Sequence, residues 1–277
     1  MNLLILDTET AKYNGIDTVY NIAWTIMTKS GKVKLQKSFL VADVYEKMFA
    51  ILKKDGTQWN NQDYYVTKSV MYESQLDKIT FKKAWIDILK TLIEDIQAYD
   101  IPLITAYNVG FDKRVIQTTT ELLTKTQITN IKNTVQVLDK RFNIYDIRIG
   151  ALSTICQSKK YVNFCLENNF LSESCLELRT RAETLIRYIR NNPFVSESHT
   201  ALEDVQIEAE ILTRVLKKQP ILTPCEGNPK FFVYNVLPLL SKQNKEKLIV
   251  KWQQHKDDPS TSNQTKNRIT KLLTQMI

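Results

Sequence analysis

Long apolar runs are absent from this chain. No stretch of its 277 residues approaches the roughly 18 consecutive apolar positions that a membrane span needs, and no basic-then-apolar signal segment opens it. The expectation is a soluble, cytoplasmic protein with no membrane partner. Cysteine is sparse: Cys156, Cys165, Cys175 and Cys225 show no C-x-x-C spacing, which argues against a zinc site and for reduced, partly buried thiols. Neither internal repeats nor low-complexity tracts occur. Histidine is the scarcest of the chemically versatile residues, with only His199 and His255. The length suffices for one large core and an appendage.

One of the two histidines stands in the most informative stretch, His199-Thr-Ala-Leu-Glu-Asp204. Thr200 and Glu203 have the spacing of a capping box, so a helix is expected to start at Thr200. That leaves His199 on the approach and Asp204 in the first turn. A histidine before a capped helix is by itself an ordinary surface feature; acidic partners elsewhere change its meaning. Leu3-Leu4-Ile5-Leu6 reads as a buried strand that runs into Asp7-Thr8-Glu9-Thr10. Side chains alternate along a strand, so Asp7 and Glu9 share a face. Two carboxylates side by side at the end of a buried strand repel each other and lose hydration, and a bound cation would relieve both. A second buried strand, Pro102 to Tyr107, is followed by the turn Asn108-Val109-Gly110 and a helix from Phe111. Asp112 sits at that helix start, where the macrodipole alone could favour a carboxylate.

In order along the chain, Asp7-Thr-Glu9-Thr10, Asn108-Val-Gly-Phe111-Asp112 and His199-Thr-Ala-Leu-Glu-Asp204 resemble the three motifs of the DEDD-type 3′–5′ exonucleases, histidine subclass. The resemblance spans residues 1 to about 216 and departs in detail: Ala11 and Lys12 stand where the family often has glycine, and Val205 where alanine is common. It implies a DnaQ-like catalytic body and two divalent cations, Mg2+ or Mn2+, that activate the attacking water and stabilise the leaving oxygen. By the same resemblance Asp7 bridges both metals. Glu9 and Asp204 complete the site nearer the nucleophilic water, and Asp112 holds the second metal. His199 is the general base, swinging in from its loop. Asn108 and Phe111 are candidates for nucleotide contact, Phe111 equally a core residue, and Thr8 and Thr10 would offer backbone groups to the terminal nucleotide. The implied activity is hydrolysis of DNA from 3′ ends to nucleoside 5′-monophosphates. An RNA-trimming exoribonuclease and a non-catalytic nucleic-acid-binding or polymerase-associated module are the alternatives. Nucleic acid is the expected partner, with a polymerase or a replication or repair complex beside it.

The fold class that follows is α/β: a ribonuclease H-like mixed β-sheet flanked by helices, residues 1–216, with a basic, mainly helical C-terminal extension, residues 217–277. Val19 to Met27 and Val33 to Ala42 read as a hairpin around Thr28–Lys32, and Val44 to Lys78 as helices. Phe81 to Tyr99 has helical spacing, and Phe142 to Ile147 reads as the last strand, followed by helices to about Arg190. Charge is uneven. The extension has eleven basic residues against four acidic ones, which accounts for +7 of the chain's +8. Such a tail attracts a phosphate backbone, or is a solvated lysine-rich surface. Within it, Pro220, Pro224 and Pro229 suggest a linker or an extended wrap. Pro238 is expected to open a helix to Gln254, and Ile269, Leu272, Leu273 and Met276 form an apolar face that needs a partner surface, the chain's own body being the favoured one.

Overall fold

Leu3 and Ile5 lie in one hydrophobic cluster and Leu4 and Leu6 in another, so the first strand is buried on both sides and the whole molecule is layered about it. The computed structural model describes residues 1–13, 15–45, 70–124, 143–227 and 229–276. Three long strands, β1 (Asn2–Tyr13), β2 (Ile16–Thr28) and β3 (Val33–Val41), pair antiparallel as a meander. β4 (Phe81–Lys83) adds in parallel to β3; β5 (Leu103–Ala106) and β6 (Asn143–Asp146) add in parallel on the other side of β1. The order β4-β3-β2-β1-β5-β6 is the expected mixed sheet of the ribonuclease H-like type, extended by one edge strand.

Helix α1 (Trp85–Ala98) and helix α2 (Val109–Leu123) cover the face that holds Leu4 and Leu6. The opposite face is covered by α3 (Ile147–Ala151), α4 (Lys159–Glu167), α5 (Ala182–Ile189) and above all the long α6 (Ala201–Lys218). Because α6 has aliphatic residues at Val205, Ile207, Ile211, Leu212 and Val215, it beds along β1 and β2. The described part of the C-terminal extension joins the same core. Phe231, Val233, Val236, Leu248, Trp252, Ile269 and Leu272 are all buried in the α6-side cluster, and the Trp252 indole donates to the Cys175 carbonyl at 3.0 Å. Cys225 bridges Tyr145, so the extension also covers the β6 edge, which would otherwise offer unpaired backbone groups. The extension closes with α7 (Lys242–Asp257) and α8 (Asn263–Met276). Ile269 is fully buried against the body; the side chain of Met276 lies outside the described residues.

Several expected elements differ. Phe81 stands in β4 and is exposed; the helix begins only at Trp85, because β4 is drawn into parallel pairing with Phe39–Val41. The i, i+4 spacing of Phe81 and Trp85 is coincidental. The helical reading of Val44 to Lys78 falls mostly on 46–69, outside the described residues, while 70–75 is helical. Pro238 does not open a helix: it lies inside a 3₁₀ segment, Val233–Leu239, and Ser241 caps α7 instead. The irregular, turn-rich segment 168–181 interrupts the helices expected before Arg190. The four cysteines are free thiols. No helix among the described residues is long and apolar enough to cross a membrane.

Candidate active site

The alternation along β1 decides where the acids point. Asp7 and Glu9 continue the Leu3–Ile5 side, toward α6, whereas Thr8 continues the Leu4–Leu6 side, toward α2. The register slips between Glu9 and Thr10, with Asn21 opposite Glu9 and Val19 opposite Thr10, so a bulge at Tyr20 turns the strand end beside Glu9.

Thr200 caps α6 as its spacing predicts, its hydroxyl accepting from the Glu203 N–H at 3.3 Å. The reciprocal bond differs from a standard capping box, because the Glu203 carboxylate accepts from the Ser198 N–H. Between them His199 stands at φ 54°, in the left-handed region that histidine enters more readily than most residues. A tie from the sheet fixes this helix start. The Asn21 carbonyl oxygen accepts from the Ala201 N–H and from the Tyr72 hydroxyl, both at 2.9 Å, while its amide donates to Ser38 and to the Phe39 carbonyl. Held this way, α6 presents Asp204 to β1. Glu9, His199 and Asp204 each bring one potential ligand atom to within 4.8 Å of the others.

Asp112 approaches from the other side. Asn108, at φ 70°, precedes α2, and its N–H donates to Asp146 at 3.2 Å. Asp146 is buried, also accepts from the Arg148 N–H, and so caps α3 while it pins the β5–α2 turn. Asp112 is then buried against Thr8, whose hydroxyl donates to it at 2.7 Å.

The electrostatics are those of a crowded acid cluster. Burial first, then the charges of Asp112, Asp204 and Glu9, hold the Asp7 carboxyl well above the usual carboxylate range. Burial pushes Asp112 up to about 7, against hydrogen bonds from the Thr8 hydroxyl, its own N–H and the Thr8 N–H. Glu208, one turn after Asp204 on α6, is raised well above its ordinary value by burial and by Asp7, Asp112 and Asp204. Glu197 is pushed to about 7, by burial and then by Glu183 and Glu203, and lies 3.8 Å from the His199 ring. Such a set fits divalent cations: the donors are hard carboxylate oxygens with one imidazole at the rim, and among the described residues Glu208 Oε2 is buried with no hydrogen-bond partner.

The remaining candidates are placed as follows. The Thr8 hydroxyl and N–H are both engaged by Asp112, so Thr8 orients that carboxylate. Thr10 is partly buried past the bulge. Phe111 packs on the α2-side core with the Arg114 guanidinium 5.4 Å from its ring. Three residues of this neighbourhood escape a reading of the sequence: Asn21, Glu197 and Glu208. Only Glu208 had a signal, four residues after Asp204 on the same helix face.

Comparison with known proteins gives one kind of result. No protein-family model matches the chain, and no curated protein matches it. Similarity is found among solved structures. One is an E. coli ExoI–ssDNA complex in its zinc-bound form, 16% identical, with a TM-score of 0.45 over 79% of this chain. The chain spans 41% of that protein.

Proposed function

We propose that the chain is a divalent-metal-dependent 3′–5′ exonuclease that hydrolyses DNA from single-stranded or 3′ ends and releases nucleoside 5′-monophosphates. The observation that carries this reading is the convergence of Glu9, His199 and Asp204 within 4.8 Å, beside an Asp7 whose carboxyl feels Asp112, Asp204 and Glu9. The resemblance of the three motifs adds the direction of cleavage. Asp7, Glu9, Asp112 and Asp204 would hold two cations, Mg2+ or Mn2+. When bound, these cations supply the positive charge that a negative phosphodiester needs to accept a hydroxide and release an alkoxide. His199, half exposed at the rim, accepts the proton of the attacking water. Glu197 beside it keeps the imidazole turned to the site and stabilises the cation that protonation creates. Thr8 keeps Asp112 from rotating away.

The test is a single strand of DNA and one of RNA, labelled at the 3′ or the 5′ end, incubated with Mg2+ or Mn2+ and with chelator. Stepwise loss from the 3′ end of DNA that vanishes in chelator and in Asp7→Ala is the expected outcome. Cleavage undiminished in chelator, or only from the 5′ end, overturns the proposal. Faster loss from RNA would move the substrate to the exoribonuclease class, and binding without turnover would leave a non-catalytic module.

A further inference from the structure

Glu208 is only 3% exposed, yet it has no counter-charge among the described residues and has no place in the catalytic set above. One side of its carboxylate accepts the backbone N–H of Tyr107; the other oxygen, Oε2, has no hydrogen-bond partner among the described residues. Its neighbours make this worse, because the charges acting on it are those of Asp7, Asp112 and Asp204. A buried carboxylate with an unpartnered oxygen beside three more acids is unfavourable to ionise in the absence of positive charge. A leucine or glutamine would fill the same space on α6 at lower cost. The arrangement becomes favourable only when cations stand among the acids.

We infer that Glu208 is a fifth carboxylate of this site, a positioning residue that strengthens divalent-cation binding by its charge and by tying α6 to the β5–α2 junction. This rests on the proposed function. The tie is specific: Tyr107 is the residue before the Asn108 turn that leads to Asp112, and Glu208 lies one helical turn beyond Asp204. One side chain therefore links the element that carries Asp204 to the element that carries Asp112, which approach β1 from opposite faces of the sheet. Its charge adds to the field of the four ligands without replacing any of them.

Two substitutions separate charge from tie. Glu208→Gln keeps an acceptor for the Tyr107 N–H and removes the charge; Glu208→Leu removes both. The readout is Mn2+ binding to the full chain by calorimetry, with thermal unfolding in chelator and in saturating Mn2+. Glu208→Gln is expected to bind Mn2+ about tenfold more weakly, the scale on which groups behind metal ligands act. In chelator it should melt no lower than the parent, since a neutral amide of the same shape replaces a carboxyl that burial disfavours ionising, and it should gain less from Mn2+. Glu208→Leu should weaken Mn2+ binding further. If Asp204→Asn loses Mn2+ while Glu208→Gln binds it as the parent does, the inference about Glu208 fails and the proposed function stands. If the parent binds no Mn2+ at all, both fail together.

Discussion

Asp7, Asp112, Glu197 and Glu208 are all held above the ordinary carboxylate range, burial being the first cause in each case. Each therefore binds its proton more tightly in the folded chain than in the unfolded one. Their contribution to stability is fully present below the unfolded value, 3.8 for aspartate, and is lost as pH rises through the folded value, about 7 for Asp112. In chelator, the melting temperature should fall as pH is raised from about 5 to about 8, and saturating Mn2+ should flatten that slope. A chelator-treated chain whose melting temperature is constant over this range would contradict the crowding of these acids. His199 belongs to the same scale. Its removal in His199→Ala should lower kcat by about 10²-fold or more while Mn2+ affinity stays near that of the parent. Loss of Mn2+ binding in that variant would make the imidazole a ligand and not a base.

At the scale of elements, Asn21 does what no neighbour in sequence could do for α6. Its carbonyl oxygen receives the Ala201 N–H across 180 residues of chain, and the rest of the amide bonds Ser38 and Phe39. Asn21→Leu would strand several buried donors and acceptors, so a loss of about 1–3 kcal/mol in urea unfolding is expected. A fall in turnover should accompany it, since the same helix start carries His199 and Asp204. Unchanged stability and rate would show that the Thr200 cap suffices alone. What sequence could reveal here follows from locality. The alternation that puts Asp7 and Glu9 on one face and the Thr200 cap are fixed by residues within one strand or one turn, and both are present as expected. Asn21 and Glu208 act only once the sheet and α6 are assembled, and Glu197 gains its meaning from the bend at His199. Phe81 was misleading for the converse reason: helical spacing extends by chance into a segment that β3 captures by pairing.

For the whole molecule, the question is whether the basic extension binds a phosphate backbone or merely is solvated. Cutting the chain after Lys218 would not answer it. Trp252, Val233, Phe231 and Ile269 belong to the core, and Trp252→Ala alone should cost about 3–5 kcal/mol. Charge can be changed without touching that packing. Lys247, Lys256, Arg268 and Lys271 are exposed on α7 and α8, whose buried residues are others, such as Leu248, Trp252, Ile269 and Leu272. Replacing the four by glutamine should leave the melting temperature within a degree or two. If the extension tracks a single strand, each phosphate contact removed lowers the slope of log affinity against log salt by about 0.7. Affinity for a long single strand should then fall at low salt and converge with the parent at high salt, while kcat at saturating substrate is preserved. Equal affinities and equal salt slopes would assign these four basic residues to solvation alone, and the nearly neutral body would carry all recognition of the strand.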